Sequence, residues 1–235
     1  MNDPSFAAIL GLGFVLGLRH ALDADHLAAV STVLAERPSL RASSAVGLWW
    51  GIGHTATLLI VGAIVLSFGI RIPQEFELVA ESGVGFLLVI LGVNLSVKLY
   101  KDRWHLHAHT HDEGAHIHFH SHRRQIDHHH QHWMVASIRP LCIGMAHGLA
   151  GSAALMLMIL ASTQEVGAGL LSITIFGLGS IAGMMAIGLT ISLPLVCSFS
   201  VSQRLFAGLQ GLAGVTSVGV GMWMLARQAW VIMGY

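Results

Sequence analysis

The chain has 235 residues, of which 54% are hydrophobic and only 10% charged, and its mean hydropathy is +0.69. A soluble domain carries about 25% charged residues, so this chain has too little charge to coat a water-facing surface, and its hydrophobicity equally excludes disorder over most of its length. A formal net charge of zero gives no general attraction to polyanions, and Cys142 and Cys197, far apart in apolar stretches, exclude a disulfide framework or a C-x-x-C redox site.

A helix that crosses a bilayer needs about 20 mostly apolar residues. Six stretches reach that length: 6–35, 45–68, 79–100, 138–162, 167–195 and 205–230. They lack the two-residue alternation of a barrel strand, and only a helix otherwise satisfies its own backbone in lipid. The first span begins almost at once with no basic segment ahead of it, which argues against a cleaved signal peptide. It contains Arg19-His20-Ala21-Leu22-Asp23-Ala24-Asp25-His26 in an otherwise apolar run. Such groups are costly in a membrane and mark function by default. At about 100° per residue, His20, Asp23 and His26 share one helix face and Asp25 falls nearly opposite. Either the helix breaks here, or Asp25 orients a histidine ring from behind. A purely structural reading pairs Arg19 with Asp23 at i,i+4 but leaves His20, Asp25 and His26 unexplained. Imidazole with carboxylate suits a first-row divalent ion such as Ni, Co or Zn; Mg would favour oxygen alone.

His54, in Gly51-Ile52-Gly53-His54-Thr55, lies deep in the second span. A lone intramembrane histidine is often only hydrogen-bonded to a neighbouring helix; this one gains weight from the motif in the first span. After the third span the composition changes. Residues 101–137 are polar, and 12 of the 16 histidines fall between His105 and His132, many at alternate positions. This segment reads as low-complexity, metal-binding and mobile when unliganded. The fourth span carries His147, and Ser152 follows in the register of Asp25.

The halves repeat. His20 aligns with His147, Gly51 with Gly177 and Gly92 with Gly221, at offsets of 127, 126 and 129. Three spans per half is an odd number, so the second half enters the membrane from the opposite side, as in many secondary transporters. The expected fold is an all-α integral membrane protein with six transmembrane helices in two inverted three-helix repeats. Its parts are residues 1–100, a histidine-rich loop over 101–137, and residues 138–235. Nine Lys and Arg residues flank the loops after spans 1, 3 and 5, against Arg71 and Arg227 on the other side. That bias places those loops, including the histidine loop, in the cytoplasm and both termini outside.

The stretch Arg19 to Leu27 resembles the signature helix of the nickel/cobalt transporter family, and Gly51-Ile52-Gly53-His54-Thr55 resembles its Leu-Gly-His-Ser/Thr motif. The segment from His147 to Ala154 departs from the Asp-Thr-Ala-Thr-Glu motif of longer members and looks like the shorter urease-accessory type of nickel permease. The resemblance covers both halves but not the histidine loop. It implies Ni²⁺ or Co²⁺ transport, with His20, Asp25 and His26 as the core of the site and His54 beside it; Asp23 and His147 complete the candidate set.

The reading is a permease of the cell membrane, with the metal as substrate and no resident cofactor. Its expected partners are the ion, the lipid bilayer and cytoplasmic metallochaperones. No phosphate-binding G-x-x-x-x-G-K-[ST] loop is present, so the energy comes from a gradient, the membrane potential or a partner. An exporter of the same metals is the first rival. An intramembrane metalloenzyme lacks an H-E-x-x-H pair, and a buried motif in a repeated bundle serves passage better than storage or sensing.

Overall fold

A computed structural model describes residues 4–36, 39–70, 72–103, 106–111, 114–119, 133–151 and 165–233. Among these the chain forms seven helices and one hairpin. In order they are α1 (Pro4–His20), α2 (Ala24–Glu36), α3 (Leu40–Phe68), α4 (Gln74–Arg103), β1 (Leu106–His111), β2 (Gly114–Phe119), α5 (Trp133–Ala150), α6 (Val166–Val201) and α7 (Gln203–Ile232). Four are long and apolar enough to cross a bilayer: α3, α4 up to Lys101, α6 and α7. Large apolar side chains face outward along them, including Phe68, Val79 and Val215, each more than two-thirds exposed. An exterior of that kind needs lipid around it.

The first predicted span is not one helix. It breaks between His20 and Ala24, and the sequence explains the break without Pro or Gly. Leu22 N–H donates to Arg19 O at 2.9 Å and Asp23 N–H to His20 O at 3.1 Å. These i to i−3 bonds tighten the last turn of α1. Leu27 N–H then donates to Asp23 O at 3.0 Å, which makes Asp23 the residue that opens α2. Arg19 and His20 lie in the last turn of α1 and Asp25 in the first turn of α2. Cations thus end one helix dipole and an anion starts the next. The predicted Arg19–Asp23 pairing does not form; Asp23 Oδ2 instead lies 2.7 Å from His20 Nδ1.

The fourth predicted span is described only as far as α5 and Gly151; the rest of it, with Ser152, lies outside the described residues. The polar segment narrows to 104–132, because α4 runs on to Arg103 and α5 starts at Trp133. Over Leu106–His111 and Gly114–Phe119 the alternating histidines follow the two-residue period of a strand. The antiparallel register sets His107 opposite His118 and His109 opposite His116.

Inside the bundle α3 packs mainly on α5 and α6, α1 lies on α6, and α4 pairs with α7. The short α2 fits against α7, α4 and α6. Backbones approach closely where glycine leaves room: a Cβ on Gly47 would stand 2.6 Å from Met184 O, and one on Gly148 would stand 2.6 Å from His54 O. Gly69, at φ 62°, ends α3 in the left-handed conformation that glycine adopts without strain. The bidentate pair of Arg139 with Glu36, at 2.9 and 3.0 Å, ties the end of α2 to the start of α5.

Candidate metal centre

The break in the first span creates the site. His20 ends α1, His26 sits in the first turn of α2, His54 lies midway along α3 and His147 in the last turn of α5. The four rings meet. His26 lies 4.8 Å from His20, 5.4 Å from His54 and 5.1 Å from His147 between ring centroids, and His20 lies 5.0 Å from His54. His26 is therefore the hub.

Donor atoms of His20, His26 and His54 all lie within 4.8 Å of one another, as do those of Asp23, Asp25 and His26. Imidazole nitrogens about 2.0–2.1 Å from a tetrahedral dication stand roughly 3.4 Å apart. The donor atoms thus stand at most about 1.4 Å farther apart than ligands of one ion would.

Burial falls off toward one side. His26, His54 and His147 are at most 2% exposed, whereas the His20 side chain is 22%, Asp25 25% and Asp23 53% exposed. Acidic groups therefore stand at the accessible edge, with imidazoles behind them. Both ring nitrogens of His26 and of His54, and Nε2 of His147, are buried with no hydrogen-bond partner among the described residues. Asp25 Oδ1 lies 3.4 Å from His26 Nδ1, too long for a well-formed hydrogen bond. A buried polar atom left unpaired costs about 1–3 kcal/mol. Five such nitrogens in one cluster are hard to account for as packing. Each neutral imidazole carries one N–H and one bare lone pair, so the three rings together can offer three donors to a metal ion.

His147 illustrates the preparation. Its Nδ1 lies 2.9 Å from the carbonyl of Ile143. A carbonyl only accepts, so Nδ1 carries the proton and a neutral ring turns a bare Nε2 lone pair into the cluster.

The structure brings all six predicted residues to one region: His20, His26, His54 and His147 as the ring cluster, with Asp23 and Asp25 at its open edge. Sequence reasoning passed over several neighbours. Trp50 packs its ring 5.1 Å from that of His147, and Phe176 lies 5.5 Å from His20. Glu81, Arg227 and Gln228 line a cleft of about 440 Å³ together with His20, Asp23 and Asp25. The pairing of Trp50 and Phe176 with histidines was findable, since both sit at matching positions of the repeat. Nothing local marks Gln228.

Comparison with known proteins fits this geometry. The profile of the NicO family, "High-affinity nickel-transport protein", matches residues 6–223. The chain is 37% identical over 199 residues to the urease accessory protein UreH of Bacillus sp. strain TB-90, covering 84% of this chain and 82% of that protein. It is 29% identical over 105 residues to the high-affinity nickel transport protein of Cupriavidus necator, covering 41% of this chain and 30% of that protein. It is 36% identical over 97 residues to the cobalt transport protein NhlF of Rhodococcus rhodochrous, covering 37% of this chain and 27% of that protein. No solved structure matches.

Proposed function

We propose a function for a chain that belongs to the high-affinity nickel-transport protein family: it is a multi-pass membrane permease that takes up Ni²⁺ or Co²⁺. The observation that carries this reading is the cluster of buried, unpartnered imidazole nitrogens at the junction of α1, α2, α3 and α5. Imidazoles, with Asp25 beside them, suit first-row divalent ions and disfavour Mg²⁺ and Ca²⁺. His20, His26 and His54 are the proposed ligands, His147 supplies a fourth nitrogen, and Asp23 and Asp25 receive the ion at the open edge.

The proposed architecture is two inverted three-helix repeats, with α1 and α2 together as the first span. Close contacts that exchange between the halves support it. A Cβ on Gly17 would strike Phe176 O, and one on Gly144 would strike Trp50 O; the same exchange relates Gly53 against Leu141 O to Gly179 against Phe14 O. His20 beside Phe176 and His147 beside Trp50 follow the same rule. The cluster then lies near the pseudo-twofold axis, where such transporters hold substrate. We place both termini outside and the histidine loop in the cytoplasm on the distribution of Lys and Arg. An inward potential of 100 mV then contributes about 4.6 kcal/mol to uptake of a dication, at roughly 2.3 per charge. Ions released beside the loop would pass to cytoplasmic metallochaperones.

The test is radiolabelled Ni²⁺ flux into proteoliposomes that hold the purified protein, under an imposed potential. Uptake that Co²⁺ competes for and Mg²⁺ does not is the expected result. No flux above empty liposomes, or accumulation only with the potential reversed, would overturn the assignment of uptake.

The loop is expected to serve affinity rather than passage. Its histidines lie outside every predicted span, and imidazole donors alone discriminate poorly among Ni, Cu and Zn. Replacing residues 105–132 by a short Gly/Ser linker should remove most metal bound to the purified protein. Flux at saturating metal should survive, with the loss confined to scarce metal. Abolished flux with normal insertion would place the loop in the pathway.

A further inference from the structure

The cleft that opens on His20, Asp23 and Asp25 continues to a wall built from Glu81 of α4 and from Trp223, Arg227 and Gln228 of α7. Glu81 lies within an apolar span, where a carboxylate is costly and points to function. It is half-buried. Among the described residues no side chain forms a close ion pair with it, although Arg227 lines the same cleft and attracts it at longer range.

Gln228 holds Glu81 instead. The amide is only 5% exposed, and its Nε2 donates to Glu81 Oε2. Its Oε1 is buried and has no hydrogen-bond partner among the described residues. The cleft wall thus sets a buried amide oxygen with no hydrogen-bond partner among the described residues beside a carboxylate with no close ion pair. Glu77, one turn nearer the start of α4, adds a second acidic group close enough to act on Glu81.

The two halves differ at these positions. By the offset of 129 that relates α4 to α7, Glu81 corresponds to Gln210. That residue is spent on a structural bond, its Nε2 donating to Ala35 O at 2.6 Å. By the offset of 127, Asp23 and Asp25 correspond to Ala150 and Ser152. At these positions the first half of the sequence therefore carries three carboxylates and the second half carries none.

We propose that Glu81, positioned by Gln228, is a capture site for a hydrated divalent cation at the mouth of this cleft, occupied before the ion reaches the imidazole cluster. The proposal rests on the transport reading above. Oxygen donors suit an ion that still keeps its water, and nitrogen donors suit one that has shed it. A charged, low-dielectric cleft raises the local cation concentration and the association rate by about 10–10³. Such a gain shrinks with ionic strength.

The experiment uses the full chain. Glu81→Gln and Glu81→Asp are compared with the unaltered protein for ⁶³Ni²⁺ flux into proteoliposomes at low and high salt. The association of Ni²⁺ with detergent-purified protein is followed by stopped flow, reading the phase that His26→Ala removes. For Glu81→Gln we expect KM to rise about tenfold at low salt, with the maximal rate within about twofold and the salt dependence flattened. Association should slow by a similar factor while dissociation is unchanged. Glu81→Asp, which keeps the charge, should stay within about threefold of the unaltered protein. Unchanged KM and association rate in Glu81→Gln would overturn the proposal. So would a loss in Glu81→Asp equal to that in Glu81→Gln, because packing rather than charge would then be at work. A protein that binds Ni²⁺ but carries none overturns the transport reading alone; the association rate then decides the role of Glu81.

Discussion

His26→Ala abolishes metal uptake, lowering it by more than about 100-fold, beyond the 10–100-fold loss typical of a residue that only supports a ligand. The expectation follows from position. His26 is the ring that touches the other three histidines, at 4.8, 5.4 and 5.1 Å, and it belongs to both the imidazole and the carboxylate donor groups. Its loss leaves neither group with three donors. The fold should survive. Among the described residues the nitrogens of His26 make no hydrogen bond, so removing them relieves a desolvation cost, set against the lost contact with Asp25 and the lost packing against three rings. Thermal unfolding without metal should therefore shift only modestly. The stabilisation that Ni²⁺ confers on the unaltered protein, about 2.7 kcal/mol at a hundredfold excess over Kd, should disappear. Unfolding that still shifts with Ni²⁺ in the variant, once the histidine loop is removed, would move the site elsewhere.

The second large effect is expected at glycine. Gly17→Val and Gly144→Val should each strip folded protein from the membrane. A Cβ at either position meets a backbone carbonyl, of Phe176 or Trp50, and backbone in a packed helix has no rotamer to yield with. Overpacking costs about 1–3 kcal/mol where side chains can shift, and more where they cannot. Each glycine also stands three residues before a histidine of the cluster, Gly17 before His20 and Gly144 before His147. Any helix that moves to admit the methyls carries its imidazole away from the others. Gly208, Gly211 and Gly219 have nothing within 4 Å of a built Cβ. Alanine at those positions should leave amount and uptake near normal. The check is the monodisperse fraction recovered in detergent, with uptake measured on whatever folds. Equal recovery across both sets would mean the helices are not packed this closely.

Much of the site was legible because polar residues in apolar spans announce themselves. The motif from Arg19 to His26 even carries the reason for its own helix break, in basic residues that end one dipole and acidic residues that begin the next. Periodicity alone could not choose between a broken helix and a straight one with Asp25 behind it, because that choice is made by two i to i−3 hydrogen bonds and by the His20–Asp23 contact. The histidine alternation was visible, but low-complexity composition masked its strand period. Glu81 and Gln228 were invisible as a pair. They meet only because α4 and α7 run antiparallel in contact, although the two residues are 147 positions apart in the chain. The proton on His147 Nδ1 likewise depends on the carbonyl of Ile143, a backbone atom that composition cannot reveal.

The most direct measurement is the X-ray absorption spectrum of Ni²⁺ bound to the protein with residues 105–132 replaced by a linker. The expected result is one tightly bound ion per chain whose spectrum shows scattering from several imidazole rings. That signature should be lost in His26→Ala and reduced in His54→Ala. An ion coordinated by oxygen alone, or an imidazole signature that persists in His26→Ala, would contradict the assignment of the buried histidine cluster as the place where the transported metal is held.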